Sequence, residues 1–162
     1  NGYYFDAVTL HPYLGQEALA PFLERDDKGC IILCRTSNDG AGEFQDLLVR
    51  EDKGDRPLWQ AVAERVRSDW NTRGNCMLVV GATYPDEMRV IRQLIGEMTL
   101  LVPGIGAQGG DVEQTVTAGV NRAGRGMIIS ASRAVLFASD SNPAAEAERY
   151  RDEINRYRPP NT

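Results

Sequence analysis

The chain has 162 residues, 42% of them hydrophobic and 25% charged, a balance expected of one soluble domain with a substantial core and not of a disordered segment. Its formal net charge of -5 supplies no basic field, which excludes nucleic acid and anionic membrane surfaces as expected partners. No apolar run approaches the roughly 20 residues of a membrane span and no charged-then-apolar leader opens the sequence, so a soluble, cytoplasmic protein is expected.

The opening Asn1-Gly2-Tyr3-Tyr4-Phe5 leads almost at once into the first strand-like run, Ala7-Val8-Thr9-Leu10, as a chain beginning inside a larger domain would; residues 15–24 then read as a helix. The second run is Cys30-Ile31-Ile32-Leu33-Cys34. After it, the charged residues 50–56 are expected to form a solvated loop, and residues 57–70 a helix whose Leu58, Val62, Val66 and Trp70 keep a four-residue step and make one apolar stripe. Next come Met77-Leu78-Val79-Val80 with a helix at 85–95, Leu100-Leu101-Val102 with a helix at 111–122, and Met127-Ile128-Ile129 with a closing helix at 144–157; residues 158–162 are a frayed end. Pro57 and Pro85 suit first helical turns, with Asp55 and Thr83 as expected caps upstream and Asp111 as the cap of the fourth helix. Nearly every position of the five runs is apolar, which predicts strands covered on both faces, hence a parallel sheet wrapped by helices. The repeated β-α order leaves two α/β architectures open, a doubly wound sheet and an arc of a (β/α)8 barrel.

In either architecture, binding groups gather just beyond the carboxyl ends of the strands. The run Gly104-Ile105-Gly106-Ala107-Gln108-Gly109-Gly110 follows a strand and precedes a helix, so its backbone amides can turn toward a phosphate with little side-chain obstruction. The next strand is expected to end at Ser132-Arg133, where the guanidinium can fork onto the same phosphate. The spacing Gly104-x-Gly106-x-x-Gly109 also meets the dinucleotide fingerprint, so an NADP-binding oxidoreductase is an alternative, although the motif arrives fourth among five units and lacks the acidic residue after the following strand. Arg35-Thr36-Ser37-Asn38-Asp39-Gly40 packs hydroxyl, amide and charge beside a turn glycine, which suits a polar ring edge, or simply an Asx turn. His11 lies at a strand end without a carboxylate partner nearby in sequence, and is read as structural. Cys30, Cys34 and Cys76 form no Cys-x-x-Cys pair, and a single histidine gives no metal-ligand cluster, so reduced thiols and no metal are expected.

Four strand-end strings then stand together: Asp6-Ala7-Val8-Thr9-Leu10-His11-Pro12-Tyr13-Leu14-Gly15, Leu33-Cys34-Arg35-Thr36-Ser37-Asn38, Leu78-Val79-Val80-Gly81-Ala82-Thr83-Tyr84-Pro85, and Val102-Pro103-Gly104-Ile105-Gly106-Ala107-Gln108-Gly109-Gly110. In order and spacing they closely resemble the longer bacterial branch of the orotidine 5'-monophosphate decarboxylases, over nearly the whole chain. The resemblance implies a (β/α)8 TIM barrel present as its fourth to eighth strands, with residues 1–162 the carboxyl-terminal part of a single barrel domain. It implies decarboxylation of orotidine 5'-monophosphate to uridine 5'-monophosphate in de novo pyrimidine synthesis, without metal or organic cofactor, and a homodimer at full length.

By the same resemblance Ser37 matches the serine at the pyrimidine edge, Gly104 and Gly106 the flexible backbone of the phosphate-closing loop, Gln108 its glutamine, and Arg133 the arginine of the phosphate gripper. Ser132 would offer its backbone amide to that phosphate. Asp39 stands where the family often has proline, and Ala131 interrupts a short polar string before the arginine. The family's Asp/Lys/Asp catalytic group falls on strands before this chain's first residue. Lys28 and Lys53 are the only lysines and neither is expected at a strand's carboxyl end, so no catalytic residue is assigned and the chain alone is expected to be inactive. The competing reading is a noncatalytic phosphoribosyl-binding fragment or pseudo-enzyme.

Overall fold

The computed structural model describes residues 4–52, 54–106, 109–138 and 142–159. In chain order it runs β1 (Ala7–Leu10), a 3-10 turn (Pro12–Leu14), α1 (Gly15–Leu23), β2 (Gly29–Arg35), a second 3-10 turn (Asp39–Ala41), α2 (Gly42–Gln45), β3 (Leu48–Val49) and β4 (Arg56–Pro57). It continues with α3 (Leu58–Arg65) and its π-turn extension (Val66–Trp70), β5 (Cys76–Val80), α4 (Pro85–Ile95), β6 (Leu100–Pro103), α5 (Val112–Gly119), β7 (Met127–Ser130), α6 (Ser132–Leu136) and α7 (Pro143–Tyr157). The five long strands form one parallel sheet in the order β1-β2-β5-β6-β7, and β3 and β4 pair antiparallel in a small ribbon beside it. Each strand of the large sheet therefore lies next to its successor. A doubly wound sheet reverses direction at a switch point; this winding instead is that of a barrel wall, and the sheet is a five-strand arc of a (β/α)8 barrel.

Parallel register puts side chains of paired residues on one face. Leu10, Ile32, Leu78 and Leu100 are paired in succession, and the last three are 0% exposed beneath the helices. Each buried aliphatic of this kind contributes about 1.5–3 kcal/mol of hydrophobic stabilisation. The neighbouring row, Leu33, Val79, Leu101 and Ile128, lies on the other face and is open in part, Ile128 being 49% exposed. The expectation of strands covered on both faces is thus corrected. Helices cover one face, while the other faces the barrel centre, which five strands do not enclose.

The stripe predicted on the second helix also shifts. Trp59, Ala63, Val66 and Trp70 are the buried positions, with Leu58 and Val62 only partly covered. The Leu58 amide donates to the Leu47 carbonyl at 2.8 Å, which ties the first turn to the ribbon and directs Trp59 inward. The π turn, closed by the Asn71 amide on the Val66 carbonyl at 2.9 Å, brings Trp70 back into the core. Neither predicted upstream cap acts as one. Pro57 is itself the cap position of α3 and ends β4, while Tyr84 is the cap position of α4 and the Thr83 hydroxyl is buried without a hydrogen-bond partner among the described residues. Asp111 does cap α5, accepting from the Gln114 amide at 2.7 Å. The charged segment 50–56 is a connection within the ribbon rather than a free loop, since Arg56 pairs with Glu51 and Glu64; Lys53 lies outside the described residues.

At the amino-terminal end of the sheet, Arg92 of α4 is 9% exposed and donates to four backbone carbonyls: Gly119 (2.8 Å), Gly96 (2.7 Å), Met98 (2.6 Å) and Gly126 (2.9 Å). It fastens the connections that enter β6 and β7. Burial holds its pKa below the usual arginine value, and nearby Glu97 opposes that shift.

Candidate functional site

Because the large sheet is parallel, its five carboxyl ends share one edge, and most of the predicted site residues meet there. Ser37 follows β2, Gly104 and Gly106 follow β6, and Ser132 and Arg133 follow β7. Gln108 lies outside the described residues. The strand expected to reach Ser132-Arg133 ends at Ser130, and these two residues open the short helix α6.

Glycine is required at the turn after β6. Gly104 and Gly106 have φ of 104° and 81°, in the region that L side chains rarely adopt. The turn closes on itself through the Gly109 amide on the Gly106 carbonyl (2.9 Å) and the Gly110 amide on the Gly104 carbonyl (3.1 Å). A Cβ at Gly106 would stand 2.5 Å from Tyr150 Oη and 2.8 Å from the Ala134 Cβ. The turn therefore rests directly on α6 and α7, one residue from Arg133. That guanidinium is exposed and meets no carboxylate or other hydrogen-bond partner among the described residues, and the Ser132 hydroxyl lies 3.4 Å from that of Ser130. A turn lined by glycine, beside a guanidinium with no partner among the described residues, can hold an anion.

Ser37 follows β2, two strands from β6 and three from β7, so roughly 10 and 14 Å along the sheet at ordinary strand spacing. Its surroundings are fixed from two sides. The Thr36 hydroxyl donates to Asn38 Oδ1 at 2.6 Å, bridging over Ser37, while Gly81 at the end of β5 presses against its backbone: a Cβ at Gly81 would fall 2.6–2.8 Å from the Ser37 Cβ, Cα and N. Arg35, grouped at first with the polar ring-edge segment, is instead 2% exposed and turned into the protein. Its guanidinium stacks 3.7 Å from the Tyr84 ring centroid and donates to Gln45 and Asp46. Sequence reasoning could not find this, since its partners lie 10 and more residues away.

His11 Nδ1 accepts from the Tyr13 amide at 3.2 Å and so caps the 3-10 turn. The buried thiols of Cys34 and Cys76 are pushed up by desolvation to about 12 and about 11, and burial raises Cys30 too, which disfavours the thiolate at all three. Lys28 precedes β2 and lies at the opposite end of the sheet, where it helps line a polar cleft of about 720 Å³. An apolar cleft of about 700 Å³ at the ends of β1 and β2 includes Thr36, Asn38 and Trp59, but none of the residues read as phosphate-binding. Among the described residues no group of three or more His, Cys, Asp or Glu side chains forms a metal site.

Residues 3–150 match the family model described as orotidine 5'-phosphate decarboxylase / HUMPS family. The chain is 52% identical over 161 residues to an orotidine 5'-phosphate decarboxylase of Ralstonia nicotianae, covering 96% of this chain and 58% of that protein. It is 53% identical over 147 residues to the enzyme of that name from Cellvibrio japonicus, covering 91% and 52%. Among solved structures, Leishmania donovani UMP synthase superposes with a TM-score of 0.88 at 44% identity, over 94% of this chain and 33% of that one. Leishmania donovani OMP decarboxylase gives 0.84 at 41% identity, over 94% and 57%. The chain thus spans little more than half the length of the curated relatives it matches.

Proposed function

The chain belongs to the orotidine 5'-phosphate decarboxylase / HUMPS family, and from that premise we propose that the full-length protein converts orotidine 5'-monophosphate to uridine 5'-monophosphate in pyrimidine synthesis. Residues 1–162 are then the carboxyl-terminal part of a single barrel domain and supply the half of the site that grips the substrate. The observation that carries this reading is the contact of the Gly106 turn with α6 beside Arg133, exposed and without a partner among the described residues. The phosphate lies between the amides of Gly104, Gly106 and Ser132 and the Arg133 guanidinium, with Gln108 closing over it, and Ser37 meets the pyrimidine edge.

In the reaction the bond from the ring carbon to its carboxylate breaks, carbon dioxide leaves, and the electron pair stays on the ring carbon until a proton arrives. A preorganised ammonium beside carboxylates is the group suited to stabilise that charge and deliver the proton. No residue of this chain is assigned that task. Its own contribution is binding energy from the remote phosphate, which orients the ring and drives loop closure. The reaction needs no metal or organic cofactor. The glycine motif falls within the family match, which removes the ground for the NADP reading.

We place the protein in the cytoplasm, where the three buried thiols stay reduced, and read it as a homodimer at full length. The exposed Tyr13, Leu14, Phe44 and Leu48 supply apolar surface of the kind that subunit contacts bury. Loss of orotidylate absorbance on addition of the full-length protein tests the activity. Binding of uridine 5'-monophosphate without turnover would select the noncatalytic phosphoribosyl-binding reading instead.

A further inference from the structure

We propose that Arg35 is a positioning residue that fixes Ser37 for the pyrimidine ring edge, an inference that rests on the function proposed above. Arg35 touches both supports between which Ser37 is held, one through its guanidinium and the other through its backbone. On one side its Nη1 donates to Gln45 Oε1 at 3.3 Å, and that same oxygen accepts the Thr36 amide at 3.0 Å. Gln45 Nε2 donates to the Thr36 hydroxyl at 2.8 Å, which leaves the hydroxyl proton directed to Asn38 Oδ1 and so completes the bridge over Ser37. On the other side the Arg35 carbonyl accepts the Gly81 amide at 2.7 Å, holding against Ser37 the one residue type that leaves room for its backbone. The stack on Tyr84 and the approach of Nη2 to Glu87 (3.9 Å) tie the same group to the start of α4.

Two features argue against a merely supportive cation. Arg35 Nε is buried with no hydrogen-bond partner among the described residues, a cost that a fold selecting only for stability would avoid. The strand is also irregular at this point, its register shifting between Leu33 and Arg35, so the Ser37 position is not set by the regular ladder alone. A lysine here would keep the charge but lose the planar stack and the forked donors.

The test compares two ligands on the full-length protein, uridine 5'-monophosphate and ribose 5-phosphate, which share the phosphate and differ by the base. Arg35→Lys and, with the Arg35 side chain kept but its link to Thr36 cut, Gln45→Leu are expected to weaken uridine 5'-monophosphate about tenfold, the equivalent of one well-placed hydrogen bond, with ribose 5-phosphate held within about twofold. Equal weakening of both ligands, or of neither, in a folded Gln45→Leu protein overturns the proposal. Failure of the unaltered protein to bind ribose 5-phosphate removes the phosphate site itself, and this inference with it, a result distinct from a loss confined to the base.

Discussion

At the amino-terminal end of the sheet Arg92 is buried and its guanidinium is taken up by four backbone carbonyls, whereas at the carboxyl end Arg133 is exposed and has no partner among the described residues. One side chain type thus does two jobs, separated by the length of a strand. Where loops must be joined in low dielectric, a fully engaged guanidinium acts as a fastener. At the other end, where the proposed phosphate site lies, the Arg133 donors have no partner among the described residues and the neighbouring backbone, at Gly106, carries no side chain. Arg35 combines the two, being buried like Arg92 yet located at the functional edge. The division matches the general pattern of such barrels, with stability built into one face and chemistry into the other.

The sharpest way to break this contrast is to exchange the consequences. Arg92→Ala leaves several buried carbonyls without donors and is expected to destabilise the fold by roughly 3 kcal/mol or more, read as a lower denaturation midpoint, with ligand affinity of the folded fraction unchanged. Arg133→Ala should do the reverse: catalytic efficiency of the full-length enzyme falls about ten- to a hundredfold, the worth of a charge-assisted contact, while stability stays within about 0.5 kcal/mol. Equal activity in the altered and unaltered enzymes would remove Arg133 from the site.

Away from both ends, the Cys34 thiol offers a pH signature of the core. Its pKa is raised from 9.0 to about 12 in the folded chain, by desolvation first, so between those values the unfolded chain loses its proton while the folded chain keeps it. Stability contributed by this group is therefore complete below about pH 9 and declines as pH rises toward 12. Cys34→Ala should flatten that part of a stability-versus-pH curve; an unchanged slope would contradict the assignment. The smallest effect belongs to Asp111→Ala, where loss of the α5 cap should cost about 1 kcal/mol in thermal or denaturant unfolding.

Most of the elements were legible because they rest on local pattern. The five apolar runs became the five long strands, the first with its predicted bounds and the others changed only at their ends, and the helix at Pro85–Ile95 lies where its proline and acidic first turn put it. The sequence was silent where structure depends on distant partners. The ribbon of β3 and β4 has two residues per strand and no periodicity to detect, yet its Leu47 carbonyl turns α3 so that Trp59, not Leu58, faces the core. The difference between the two faces of the sheet was equally hidden, since Ile32 and Leu33 read alike in an apolar run. The positions of Ser37, Gly106 and Arg133 followed from the strand-end rule and from family resemblance. The neighbours that constrain them, Gly81, Ala134 and Tyr150, come from three separate elements and could be found only in three dimensions.

If the Gly106 turn and Arg133 together seize a phosphate at the carboxyl edge, the full-length protein must discriminate uridine 5'-monophosphate from uridine. The ratio of the two affinities, measured by calorimetric titration, is expected to be large in the unaltered protein and to fall about tenfold or more in Arg133→Ala, with uridine binding unaffected. A preference that is the same in both proteins would contradict it.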